Sequence, residues 1–342
     1  MPTINREELL HQLESVQPGL SPREVIEQSS CFVFHEGRIM TYNEEICCSQ
    51  KTSLELTGAV KAAPLLALLQ KLKEEEIELI QEEGEIIIKG KSRKAGIRRE
   101  KEVLLPVKDV ERPSDWKDLH EDWPDAIKLV HTCACRQAND QQGFALTCVN
   151  LTADFIEACD NFQVTRFKFK TGITQPALIK AESLKHLPPL GMTKFCETKT
   201  WVHFKNPAGL VFSCRKYIEN FPDMTALLGV KGHPITIPPG LGEAAEKAAI
   251  FSAESSDDNK VLVQLRPEKL RIRGMGASGW FQEVKAIVYE GPELEFLIAP
   301  DLLVEITSRK KEALISDGRL KVNGGKWEYC TALSAVAEGD KE

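Results

Sequence analysis

The chain has 342 residues, of which 42% are hydrophobic and 28% charged, and it carries a formal net charge of −7. That composition describes an ordinary globular protein of two or three domains. No apolar run is long enough to span a bilayer, and the acidic start MPTINREELL lacks the apolar core of a signal peptide. The negative charge excludes a protein coated with basic surface for nucleic acid, but not one whose basic residues line a single enclosed face.

In chain order, Asn5 caps a helix from Arg6 to Val16 with an apolar stripe of Leu9, Leu10, Leu13 and Val16, ended by Pro18-Gly19. Strands are expected at Cys31–Phe34 and Arg38–Tyr42 around a turn at His35-Glu36-Gly37, then at Ser53–Leu56. A helix over Lys61–Glu75 and strands Ile77–Ile80, Glu85–Lys89 and Ala95–Arg99 complete a first unit. Glu111 to Asp115, polar and holding Pro113, reads as a linker. The second unit has a helix over Asp125–Gln137, strands Phe144–Val149, Phe155–Cys159 and Thr165–Lys170, and a helix over Ala181–Leu187. The third opens at Pro234–Pro238. It continues with a helix over Leu241–Ser252 and strands Lys260–Leu265, Lys269–Arg273 and Glu283–Tyr289.

Three stretches, beginning at Pro64, Glu182 and Pro300, repeat one pattern: an apolar-striped helix, an alternating strand, a tight turn and a second strand. Ile86, Trp201 and Leu320 hold matching positions in them, with steps of 115 and 119 residues. Steps of that size are whole domains, far beyond solenoid periods. The expected domains are 1–112, 113–230 and 231–342, each an α+β unit because helices and strands do not alternate singly.

Several apparent motifs carry no chemistry. Gly274-Met275-Gly276-Ala277-Ser278-Gly279 has the GxGxxG spacing, but strand-like Trp280–Val284 follows where a dinucleotide site needs a helix N-terminus, so a hairpin turn is expected. No cofactor is implied. The ten cysteines are scattered, without a CxxC pair, and read as reduced, mostly buried thiols of a cytoplasmic protein. His131, Cys133 and Cys135 sit on a helical pattern where i and i+2 point apart, a poor metal geometry. A thiol or metal enzyme built on them remains the least favoured reading; no metal, catalytic residue or enzyme activity is expected.

Three segments carry a resemblance: Phe212–Lys216 through Asn220-Phe221-Pro222-Asp223, Glu246–Ser252, and Phe296–Leu303. In this order over three repeats they resemble the beta subunit of bacterial DNA polymerase III, the sliding clamp, along nearly the whole chain. The resemblance implies three tandem DNA-clamp domains, with helices lining a central hole and sheets outside. It also implies a homodimeric ring around duplex DNA that tethers polymerase for processive replication. An alternative within the same resemblance is a clamp-like protein-binding scaffold that does not encircle DNA.

The same resemblance suggests the sites. Arg23 matches a position beside the hole, and Lys71, Lys73, Lys128, Arg136, Lys247, Arg309 and Lys310 lie on or beside the candidate helices as further DNA contacts. A pocket for short linear peptides of polymerases and clamp-loader subunits is placed at Asn161, Phe162, Gln163, Val164, Pro222, Leu227, Leu333 and Val336. Here the family has Gly-His-Arg-Leu in place of Asn161 to Val164, and it ends near the point where this chain continues from Ala337 to Glu342. Ring closure is expected where Ile97 and Arg98 on one sheet edge meet Ile250 and Phe251 near another. Arg98, Arg99 and Lys101 would face Glu254, Asp257 and Asp258, opposite charges that set orientation.

Overall fold

A computed structural model describes residues 3–138, 143–253, 259–309, 312–316 and 318–336. The first copy runs β1 (Thr3–Asn5), α1 (Arg6–Val16), β2 (Cys31–His35), β3 (Arg38–Tyr42), β4 (Ile46–Lys51), β5 (Gly58–Lys61), α2 (Ala62–Lys71), β6 (Glu76–Gln81), β7 (Glu85–Lys89) and β8 (Lys94–Glu100). The second runs β9 (Lys117–Asp118), α3 (Trp123–Val130), β10 (Cys148–Leu151), β11 (Phe155–Cys159), β12 (Gln163–Lys168), β13 (Ala177–Lys180), α4 (Ala181–Leu184), β14 (Lys194–Glu197), β15 (Trp201–Lys205) and β16 (Val211–Arg215). A short α5 (Thr225–Leu228) leads into the third: β17 (His233–Thr236), α6 (Leu241–Ser252), β18 (Val261–Arg266), β19 (Lys269–Gly276), β20 (Gly279–Ala286), β21 (Val288–Tyr289), β22 (Leu294–Ile298), α7 (Pro300–Arg309), β23 (Glu312–Ser316), β24 (Arg319–Asn323), β25 (Trp327–Ala332) and β26 (Ser334–Ala335). Apart from the small extra strands β21 and β26, each copy reads strand, helix, four strands, helix, three strands. The fold is α+β in triplicate, and no described helix is long and apolar enough to cross a membrane.

Contacts divide the chain into two compact units that do not follow the expected domain boundaries. Unit 1 holds residues 1–131, 147–154 and 170–219; unit 2 holds 132–146, 155–169 and 220–342. Within unit 1 one antiparallel sheet runs β1-β6-β7-β8-β5-β2-β3-β4-β16-β15-β14-β9, so the third post-helix strand of the first copy pairs with the last strand of the second. The register there is Cys48 opposite Phe212 and Cys47 opposite Ser213. Within unit 2 the order β11-β12-β25-β24-β23-β17-β21 makes the equivalent join, β12 on β25, with Val164 opposite Cys330. A second unit 2 sheet runs β20-β19-β18-β22-β26.

The differences from the sequence reading have physical causes. Ser53–Leu56 forms no strand; the strand is β4, whose Ile46, Cys47 and Cys48 are all buried because β3 and β16 flank it and both its faces are covered. A strand covered on both faces shows no alternation. The helix expected to reach Gln137 stops at Val130, and a single 3-10 turn follows over His131–Cys133. Phe144–Thr147 is likewise a 3-10 turn that precedes β10. The Gly274–Gly279 segment is the tight turn of the β19–β20 hairpin, with Gly276 opposite Gly279. Gly274 has a packing role as well: a Cβ there would lie 1.9 Å from the carbonyl oxygen of Ala248, so only glycine lets β19 pass this close beneath α6.

Candidate functional site

The expected pocket lies wholly in unit 2, where β12 joins β25. Its floor is a buried cluster of Cys159, Val164, Met224, Leu228 and Cys330, with Leu146, Phe221 and Val230 packed against it. The segment 221–230 supplies four of these, three of them (Phe221, Met224 and Leu228) at helical spacing, with α5 packed on β25. Sequence reasoning named only Val164 of this floor. The stripe Phe221, Met224, Leu228 was the signal for the rest. Leu227 is 38% exposed on the rim and Pro222 is exposed beside it. Leu333 is buried, its N–H bonded to the Gly318 carbonyl, and Val336 is half-buried.

Asn161 to Val164 close the β11–β12 hairpin. Asp160 organises this turn: its Oδ1 accepts the N–H groups of Phe162 (2.7 Å) and Gln163 (2.8 Å), and its own N–H donates to the Gln163 carbonyl (3.0 Å). The Phe162 carbonyl accepts from the N–H of Ala332 (2.7 Å) and the Thr331 hydroxyl (3.2 Å). The Phe162 backbone is therefore fixed, while its side chain is 53% exposed. It is rim, not floor. Such a large exposed aromatic beside an apolar floor is a feature of binding surfaces.

The basic candidates divide. Arg23 is exposed in a loop anchored by an ion pair between Glu24 and Lys61 and by Gln28. Gln28 is fully buried; its amide donates to Glu100 (2.9 Å) and to the Glu102 carbonyl (2.8 Å). Hydrogen bonding to Lys61 outweighs burial and holds the Glu24 carboxyl below its usual range. Lys71, Lys73 and Arg136 are exposed. Lys128 is exposed 3.3 Å from Asp125, and Lys247 is exposed 3.7 Å from Glu283. Arg309 differs from the surface contact expected of it. Its side chain is 2% exposed, pairs with Glu305 at 2.7 Å and stacks 4.7 Å from the Tyr329 ring centroid. A helix-end arginine reads as solvated in sequence, but this one is drawn inward by aromatic faces. Lys310, Glu254, Asp257 and Asp258 lie outside the described residues.

Among the described strands, two with an unpaired side bear on the expected ring closure. β20 ends its sheet, paired only with β19. Beside it, Ile250 (67%), Met275 (55%), Trp280 (61%) and Val284 (54%) are exposed, and Phe251 is half-buried near Gly279. The Arg273 guanidinium lies 5.8 Å from the Trp280 ring centroid. In unit 1, β8 pairs with β7 over Lys94–Arg98 and with β5 only at Arg99 and Glu100, which leaves the side of Lys94–Arg98 away from β7 without a strand. Arg98 is exposed there, whereas Ile97 points into the core of the first copy, 9% exposed.

Cys133 and Cys135 are poor nucleophiles. Cys133 is fully buried, 2.9 Å from the Thr165 hydroxyl, and burial pushes its thiol up to about 11. Cys135 is also raised, chiefly by burial. A reactive thiol needs the opposite shift. Among the described residues no group of three or more His, Cys, Asp or Glu side chains is arranged to hold a metal.

No family model matches the chain, and no curated protein matches it significantly. Solved structures do. A sliding clamp (DNA polymerase III subunit beta) from Pseudomonas aeruginosa bound to griselimycin superimposes with a TM-score of 0.83 at 14% identity, covering 98% of this chain and 99% of that one. The DNA polymerase III beta chain from Streptococcus pneumoniae gives 0.83 at 15% identity, with the same coverage. That from Thermotoga maritima gives 0.81 at 14%, again covering 98% and 99%. Identities this low establish the fold: the chain has the three-domain architecture of bacterial sliding clamps over nearly its full length.

Proposed function

We propose that two copies of this chain close a ring around duplex DNA, and that the ring tethers a polymerase through the unit 2 pocket. The observation that carries this reading is the pairing rule between copies. The third post-helix strand of one copy pairs with the last strand of the next, β4 with β16 and β12 with β25. By the same rule β20 needs a last strand, and β8 needs a third strand. Both edges are open in a single chain, and the β20 side presents an apolar patch. An uncovered apolar edge strand is a liability unless something pairs with it. A second copy supplies β8 to β20 and takes β20 on its own β8, which closes the assembly with two-fold symmetry.

Retention on DNA is then topological, and tight phosphate contacts are unnecessary; strong ones would hinder sliding. Arg23, Lys71, Lys73, Lys128, Arg136 and Lys247 are exposed and available for weak contact, several already shared with carboxylates, in a chain whose net charge is −7. The pocket, an apolar floor with a rim of Phe162, Pro222 and Leu227, suits a short apolar peptide segment of a polymerase or clamp-loader subunit. The test is retention on circular DNA: subunits reassembled around a plasmid should co-elute with it through gel filtration and be released when one cut makes it linear. A stable dimer that never co-elutes with the circle would instead establish the scaffold reading.

A further inference from the structure

The exposed ring of Phe162 stands on a support that reaches deep into unit 2. Gln163, the next residue, uses both ends of its side-chain amide inside the protein. Its Nε2 donates to Asp160 Oδ2 (3.2 Å), and its Oε1 accepts from the Tyr329 hydroxyl (3.0 Å). Tyr329 is fully buried in β25. Its ring lies under the Arg309 guanidinium at 4.7 Å, and Arg309 is fixed in turn by Glu305 (2.7 Å) and by the Thr132 hydroxyl (3.2 Å). The amide of Gln163 thus has one orientation that satisfies both partners, and that orientation directs a donor onto the carboxylate that organises the rim turn.

We propose that Tyr329, buttressed by Arg309, is a positioning residue: it fixes Gln163, and through Asp160 it holds the backbone that carries Phe162 in place before a partner peptide arrives. The inference rests on the pocket reading above. It makes Phe162 the residue that selects the partner, favouring a peptide that sets an apolar or aromatic side chain against the ring. A rim turn whose backbone is fixed before binding contributes affinity because only the side chain is left to be ordered when the partner arrives.

The test removes one hydroxyl. Tyr329→Phe should speed amide exchange at Phe162 and Gln163, whose N–H groups are held by Asp160. It should also weaken binding of a fluorescein-labelled hexapeptide ending in Leu-Phe by about three- to tenfold, the worth of one hydrogen bond. In a Gln163→Met background the same change should have no further effect on either measurement. Unchanged exchange, or equal losses in both backgrounds, would overturn the positioning role. If Tyr329→Phe does not fold, Gln163→Met alone should show the same exchange gain, and its absence would be equally decisive. Leu227→Ala separates the two readings: if it leaves peptide binding intact, the pocket assignment fails, while the exchange result still judges the support.

Discussion

Two turns at equivalent places in the repeat share one hydrogen-bond pattern and differ in what they carry. Between β3 and β4, Asn43 Oδ1 accepts the N–H groups of Glu45 (3.2 Å) and Ile46 (2.8 Å), as Asp160 does for Phe162 and Gln163 between β11 and β12. The third residue of the first turn, Glu45, is bound to Lys180 (2.7 Å) and to the Tyr217 hydroxyl (2.7 Å), so the join of the first and second copies is sealed. There Trp201, 2% exposed, packs with Tyr42, and Val103, Val107 and Val110 cover the cluster. The third residue of the second turn, Phe162, is an exposed ring above an apolar floor. In the proposed ring one fold element, copied, serves as a bolt in one join and as a display in the other, and a third join, of β8 with β20, forms only between two copies.

The largest effect should fall on that third join. Ile250→Asp places a charge in the exposed patch beside β20 and should convert dimers to monomers in sedimentation, a loss of about 2 kcal/mol or more, as at an interface hot spot. A full dimer would show that the patch serves something else. The sealed join should instead reveal itself through pH. His203 is fully buried, bonded to the Ser213 hydroxyl (2.7 Å) in the row His203, Ser213, Cys47 that crosses β15, β16 and β4. Burial pushes its imidazole down to about 4. A histidine depressed in the folded state adds stability that is present above its unfolded value near 6.5 and is lost as pH falls from there towards 4. The linkage is worth about 3 kcal/mol. Thermal melts should decline across that window, and His203→Asn should flatten the decline. In the matching row of the other join, Lys321, Cys330 and Val164, no histidine stands.

Smaller changes sharpen the contrast in use. Leu227→Ala should cost about 1–3 kcal/mol of peptide binding by calorimetry, and Phe162→Ala about 1 kcal/mol. Loss from neither would return the second join to a purely structural role. Arg23→Ala should speed escape from circular DNA, most at raised salt, and leave the dimer intact because the side chain is exposed. Lys247→Ala, already shared with Glu283 at 3.7 Å, should do less. DNA retention that is indifferent to Arg23 across a salt series removes it from the contact set.

The triplication was legible because helix and strand periods survive wherever one face is solvent. The β19–β20 hairpin was legible because its glycines are followed by strand residues. What lay hidden depends on pairing between copies. β4 shows no alternation because α1 and the turn after it cover one face while Trp201 and the segment of Val103, Val107 and Val110 close the other, and the compact units cut through the second copy because strands join across it. Arg309 was misread because charge at a helix end looks like surface until Trp327 and Tyr329 are placed beside it. The pocket floor was barely legible: Val164 stood out, while Met224 and Leu228 are marked in the sequence only by their helical spacing from Phe221, which does not say what they pack against. Aligning the copies at Asn43 and Asp160 would have exposed the shared turn and marked Phe162 as its odd member.

The proposed ring requires β8 and β20 to pair between copies, and amide exchange at two protein concentrations tests that pairing directly. In concentrated protein the outward N–H groups of Gly279–Ala286 and Lys94–Arg98 should be protected together, and dilution to monomer should expose both sets in step. Exchange at both edges that is fast and independent of concentration, in a sample that sediments as a dimer, would contradict it.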